Sequence, residues 1–196
     1  ALRVPHWKDP LRTVAQEPSM VRLPDGRLFC VMRTNSGYIW YSESADDGET
    51  WISPRPLLRK DFGAPILQPV SCDPIYQLAD GRYVLVHHNN RGYLEGKQTE
   101  KGLIEMTHSP RRPCYIALGE FRPGADQPVW FSESKLFIDN GGFAPTGEPD
   151  PDAGIGVYSS FTTKDGNNVL WHPDRKTFLV GNKVTEAFLA DLHAPG

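Results

Sequence analysis

The chain has 196 residues, with Lys plus Arg at 21, Asp plus Glu at 24 and a formal net charge of −3. That near-neutral balance argues against a dedicated nucleic-acid binder. An apolar fraction of 39% beside 23% charged residues excludes a disordered tail, and no apolar run approaches the ~18 residues of a membrane helix. Gly and Pro, at 18 each, exceed a combined average usage of roughly 12%. They fall between short apolar runs, which is the pattern of a turn-rich β fold in one domain, 1–196. Cys30, Cys72 and Cys114 match no zinc spacing and read as buried free thiols.

Residues 1–15 read as a connecting segment. A recurring unit follows: Met20–Arg33, with Asp25-Gly26 between two apolar stretches, then Asp73–Val86 with Asp80-Gly81, then Tyr158–Trp171 with Asp165-Gly166. Asp-Gly between alternating apolar runs is a hairpin signal, and hairpins repeated in this way suggest propeller blades. Gly37–Ser44, Cys114–Phe121 and Val129–Ser132 are further strand-like segments. Asp139–Gly156 is rich in Gly, Pro and Asp and reads as a long loop. His172–Val180 reads as a turn and a returning strand. Thr185–Leu192 reads as a short closing helix with Thr185 as its cap and Val184, Phe188, Leu189 and Leu192 on one face.

The register of the units carries functional information. Glu17 stands eight residues before its Asp-Gly pair, and Asp73 and Tyr158 each stand seven before theirs. All three are expected to open the innermost strand of a blade, and innermost strands surround a propeller's channel. A carboxylate, a second carboxylate and a phenol are thus expected to converge near one axis. His87 and His88 point to opposite faces of a strand, so the two cannot serve one metal.

One further motif is specific. Ser44, Asp46, Gly48, Thr50 and Trp51 fit Ser-x-Asp-x-Gly-x-Thr-Trp. Gly48 permits a tight turn, Asp46 and Ser44 can bond its amides, and Trp51 can pack beneath it. This is the Asp-box of the bacterial neuraminidase repeat. With it the sequence resembles the sialidase (neuraminidase) superfamily, over most of its length.

The resemblance implies an all-β, six-bladed propeller with a site at its axis, of which this chain supplies about three to four blades. Gln16-Glu17-Pro18-Ser19 is similar to the family's glutamate strand, and Arg33, sixteen residues on, falls where the family carries an active-site arginine. Asn89-Asn90-Arg91 and Arg111-Arg112-Pro113 resemble the next blade, where a second arginine is expected. That role falls to Arg112 or Arg111, with Arg91 a further contender. Tyr158-Ser159-Ser160-Phe161 resembles the segment of the nucleophilic tyrosine. In the implied scheme Arg33 and its partner arginine bind a sugar carboxylate in bidentate fashion, Tyr158 attacks the anomeric carbon and Glu17 takes its proton. Asp73 either contacts substrate or caps a turn. The implied activity is an exo-acting, retaining sialidase with a sialoside or related glycan as partner and neither cofactor nor metal. The family also favours a secreted or periplasmic location.

The family's first arginine and its general-acid aspartate lie in earlier blades, and nothing before Glu17 resembles them. The chain therefore reads as the C-terminal half of a propeller, needing the other half or self-association and inactive by itself. A non-catalytic carbohydrate-binding propeller and a hydrolase or lyase for another glycan are the alternatives on the same fold.

Overall fold

The computed structural model describes residues 2–5, 11, 13–92, 111–150, 153–156, 160–175 and 177–196. These residues form three antiparallel sheets and almost no helix. The first sheet is an up-and-down meander of β1 (Gln16–Arg22), β2 (Leu28–Arg33), β3 (Trp40–Ser44) and β4 (Arg55–Pro56). The second runs β5 (Ile75–Gln77), β6 (Tyr83–His87), β7 (Cys114–Phe121) and β8 (Val129–Phe131), with β9 (Lys135–Ile138) also pairing with β7. The third contains β10 (Phe161–Lys164), β11 (Asn167–Asp174) and β12 (Phe178–Val184). No helix among the described residues is long and apolar enough to cross a membrane.

The three Asp-Gly pairs all turn hairpins, by two different geometries. At the first two, Gly26 donates to Leu23 O and Gly81 to Leu78 O, and each glycine takes a left-handed conformation (φ 91° and 89°) that closes a three-residue loop. In both, the turn aspartate is tied to the arginine two residues on: Arg27 N donates to Asp25 Oδ1 at 3.1 Å and Arg82 N to Asp80 Oδ1 at 2.9 Å. At the third, Lys164 pairs with Asn167, and Asp165 and Gly166 both have positive φ, which is a two-residue hairpin turn of the primed kind.

Strand alternation stacks the sheets. In the second sheet Tyr83, Leu85 and Ala117 face the first sheet and join Phe29, Val31, Ile39 and Leu57 in one core cluster. Val84, Val86, Ile116 and Leu118 face the other way and join Ile155, Leu170, Val184 and Leu189. The second sheet is thus buried on both faces, which is why its strands are continuous apolar runs. The first sheet's other face, Cys30 and Met32, packs on Val4 and Val14. The third sheet's other face stays open, with Leu179 at 74% exposure and Trp171 at 38%. Cys30, Cys72 and Cys114 are buried free thiols, as the spacing suggested.

The turn after β3 is a closed network. Ser44 Oγ accepts from Gly48 N at 2.8 Å and donates to Asp46 Oδ1 at 2.8 Å, Thr50 N donates to Asp46 Oδ1 at 2.8 Å, and Trp51 Nε1 donates to Gly48 O at 2.9 Å. Hydrogen bonds from Thr50 and Ser44 hold the Asp46 carboxyl down to about 2. Its two oxygens are occupied in shaping the turn. The closing helix α1 (Glu186–Leu189) is one turn long, with Thr185 Oγ1 accepting from Phe188 N.

One expectation is corrected. His172 and Pro173 lie inside β11, which runs to Asp174, and not in a turn; β12 begins at Phe178. Pro173 lies just past the end of the β10 pairing, whose last hydrogen bond runs from Trp171 N to Ser160 O at 3.0 Å. The strand β9 precedes the long loop and carries no apolar alternation of its own; its pairing with β7 across a bulge at Cys114/Tyr115 defines it.

Gly119, in the middle of β7, shows how closely the first interface is packed. A β-carbon there would lie 2.8 Å from the Phe131 ring and 2.9 Å from Val129. Gly119→Ala is expected to cost about 1–3 kcal/mol, read as a lower urea midpoint at unchanged m-value.

Candidate functional site

Of the residues singled out from sequence, Glu17, Arg33, Asp73, Arg91, Arg111 and Arg112 lie at one end of the sheets. Antiparallel pairing puts the start of β1 beside the end of β2, as the pairing of Gln16 with Arg33 shows. It likewise puts the start of β5, the end of β6 and the start of β7 together. Ser19 Oγ joins the two sheets at this end, accepting from Ile75 N at 3.1 Å and donating to Ile75 O at 3.3 Å. The third sheet arrives by Ile155, which donates to Arg111 O at 3.0 Å and bridges to Asp174 at the end of β11. Tyr158 lies outside the described residues; β10, which follows it, begins at this same end.

Glu17 is shaped by its backbone. It has φ 48°, and the β1–β2 register slips between Gln16 and Ser19. Non-glycine residues in this region carry strain of order 1–3 kcal/mol, and a bulge re-aims the side chain. The Glu17 carboxylate accepts from Arg33 Nη1 at 2.5 Å, and Arg33 Nη2 donates to Gln16 Oε1 at 2.5 Å. Cys72 Sγ donates to Glu17 Oε2 at 3.0 Å.

Asp73 lies behind this pair, 2% exposed, with no hydrogen-bond partner for either carboxyl oxygen among the described residues. Burial pushes its carboxyl well above the usual carboxylate range, Glu17 adds to the push and Arg33 opposes it.

Arg91, Arg111 and Arg112 flank the same end. None has an ion-pair partner among the described residues, and the Nε of each is buried without an acceptor there. Arg91 stacks on the Tyr38 ring, 4.8 Å from its centroid. The Arg112 guanidinium packs flat on Gly142, where any side chain would displace it.

Sequence reasoning missed the buried scaffold linking the two groups. Gln68 Nε2 donates to Ser71 O at 2.9 Å and Cys72 O at 2.7 Å, while its Oε1 accepts from His88 N at 2.8 Å. His88 continues it, with Nε2 3.1 Å from Ser71 Oγ and Nδ1 3.1 Å from Pro113 O. His87 faces the other way, with Nε2 2.8 Å from Ser134 Oγ. The opposite faces expected of the pair are observed. Burial drives His87 down to about 3 and His88 to about 4, so both are neutral hydrogen-bonding groups. Among the described residues no three His, Cys, Asp or Glu side chains gather as a metal site would require. A run of ordinary polar residues such as Gln68–Asp73 has no sequence signature; only its enclosure makes it a scaffold.

No family model matches the chain, and neither does any curated protein. Among solved structures, the intramolecular trans-sialidase from Ruminococcus gnavus, solved with oseltamivir carboxylate, is similar at a TM-score of 0.56 and 23% identity over 87% of this chain. The fold is sialidase-like. The chain spans 32% of that trans-sialidase's length. An ulvan lyase from a new family of polysaccharide lyases is similar at a TM-score of 0.27 and 14% identity, over 90% of this chain and 56% of its own.

Two opposing pH effects follow. Asp73 holds its proton more tightly folded than unfolded, so its contribution is present below about pH 4 and is lost as pH rises toward its folded value. Asp73→Asn is therefore expected to raise Tm at pH 7 and to match wild type near pH 3.5, at ~2–4 °C per kcal/mol for a chain of this size. His87 and His88 act in the opposite direction. The unfolded chain takes up protons below about pH 6.5 that the buried rings refuse, so stability falls from there toward pH 4. Thermal melts from pH 3.5 to 8 on wild type, Asp73→Asn and His88→Gln check both slopes, with His88→Gln expected to melt lower at pH 7 and to show the shallower acid slope.

Proposed function

We propose that the three sheets are blades of a six-bladed β-propeller and that their common end forms part of a sialidase-like glycoside hydrolase site, exo-acting and retaining. The observation that carries this reading is the gathering of Arg91, Arg111 and Arg112, none with a carboxylate partner among the described residues, at the sheet end that holds the Glu17–Arg33 pair. Partly buried guanidinium groups without a counter-charge suit a carboxylate-bearing ligand, which they can grip in bidentate fashion. The face-to-face stacking of the sheets and the open apolar face at Trp171 and Leu179 support a propeller in which a further blade covers the third sheet. The sialidase-like fold adds to this.

In this reading Arg33, with Arg112 or Arg111, orients the sugar carboxylate, and Arg91 lines the rim. A carboxylate nucleophile would be repelled by the acid group beside the anomeric carbon, whereas a phenol would not. Tyr158 attacks that carbon and its proton passes to Glu17. Arg33 and Cys72 fix the Glu17 side chain, and Asp73 supports it from behind.

The test is a fluorogenic sialoside assay on protein carrying the complete propeller. Tyr158→Phe is expected to lower kcat by at least about 10³-fold, and Glu17→Gln by about 10²–10⁴-fold. Arg33→Lys is expected to raise KM as well, because Lys cannot grip a carboxylate with two donors. Wild-type turnover that survives Tyr158→Phe overturns the mechanism. Binding without any turnover would identify a carbohydrate-binding propeller, and turnover of a different glycoside with the same dependence on Tyr158 would replace the substrate but keep the chemistry.

A further inference from the structure

A second cleft lies at the outer edges of the first two sheets, where β4 and the approach to β8 come together. It has a volume of about 330 Å³ and is lined by Tyr41, Arg55, Leu58, Asp61, Phe62 and Asp126. That size is at the lower end of small-molecule clefts, which run from ~300 to 1,000 Å³. β4 lies three strand spacings, ~14 Å, across the sheet from β1 and Glu17.

The walls are rigid. The Asp61 carboxylate accepts from Asp126 N at 3.0 Å and Gln127 N at 2.9 Å. Gln127 clamps the loop from the other side, accepting from Leu58 N at 2.7 Å and donating to Leu58 O at 2.6 Å. The Lys60–Gly63 turn is closed by Gly63 N donating to Lys60 O at 2.8 Å. On this turn Phe62 is 96% exposed and has φ 59°. A phenylalanine in that backbone conformation is strained, and here it buries nothing in return.

The floor of the cleft is Tyr41. The residue is only 2% exposed, and its ring packs on Phe29 with the centroids 5.2 Å apart. Burial pushes the phenol up to about 12, so it remains a donor. Arg55 forms no ion pair among the described residues. An aromatic side chain on the rim, the Tyr41 phenol, one guanidinium and a carboxylate at Asp126 thus line a common space.

We propose that this cleft is a carbohydrate subsite for a neutral pyranose, separate from the Glu17–Arg33 site. The C–H face of a sugar ring carries slight positive charge and suits the negative face of Phe62. Hydroxyl groups on the ring can donate to Asp126 and accept from Tyr41 and Arg55. Asp61 and Asp126 together outweigh the charge of Arg55, which disfavours an anionic sugar. The subsite stands or falls independently of the proposed hydrolase chemistry.

The experiment is saturation-transfer NMR titration with methyl glycosides of glucose, galactose and mannose. Wild type is expected to bind at least one of them. Phe62→Ala, a change at an exposed position, is expected to weaken binding at least about ten-fold. Tyr41→Phe should weaken it roughly three- to ten-fold, the value of one hydrogen bond. Arg33→Lys should leave it unchanged. Failure of all three glycosides to bind overturns the proposal, as does wild-type affinity in Phe62→Ala. Equal loss in Arg33→Lys would assign the sugar to the other site and also overturn it. If no glycoside binds and Phe62→Ala abolishes self-association seen in wild type, the cleft is a protein interface and the subsite is wrong.

Discussion

The burial of the second sheet on both faces is the constraint on which the rest of the structure depends. Tyr83 and Leu85 reach into one interface while Val84 and Val86, one residue out of phase, reach into the other. Each fully buried apolar side chain of this size contributes about 1.5–3 kcal/mol, so a one-residue slip in register would exchange two cores at once. The sheets can therefore stack in one register only. That register, fastened by Ser19 against Ile75, brings the start of β1 alongside the start of β5.

Once the strand ends are aligned, polar side chains accumulate at that end, beside the Gln16–Arg33 pair that closes the β1–β2 ladder. Glu17 leaves the regular β conformation there, and the residues from Gln68 to Asp73 are enclosed between two sheets. Enclosure also sorts charge. Asp73 is driven toward neutrality, the two histidines are kept neutral, and the guanidinium groups remain charged because arginine does not lose its proton in proteins. The balance at this end is set by arginine. A site that takes an anionic group needs that bias, and a neutral carboxyl behind the pair achieves it without displacing Glu17.

The outer cleft follows from the same stacking. The outer strands of the two sheets are joined by Gln127 and Asp61, beside a core filled by Leu57, Val129 and Phe131. What remains is a small recess with an aromatic edge. It shares no residue with the Glu17–Arg33 pair, and its charge has the opposite sign.

Much of the fold was legible in the chain. The Asp-Gly pairs marked the three hairpins because glycine readily takes the left-handed conformation of a tight loop, and the Ser44–Trp51 pattern marked its turn because Ser44, Asp46, Thr50 and Trp51 bond one another or the turn's backbone. The sequence placed Glu17 and Arg33 near one end of a hairpin, but the register slip that sets Gln16 opposite Arg33 and lets Glu17 pair with it was not legible. Local signals failed where the partner is distant. β9 exists only because β7 is there to pair with it, and Pro173 sits in a strand just past the end of the β10 pairing. Tertiary structure alone decided that Cys72 meets Glu17, that Gln68 and His88 form the scaffold between the arginines and the carboxylates, and that Tyr41 ends in a cleft. These contacts join residues twenty to fifty-five positions apart, and sequence encodes such contacts only through the stacking that brings the sheets together.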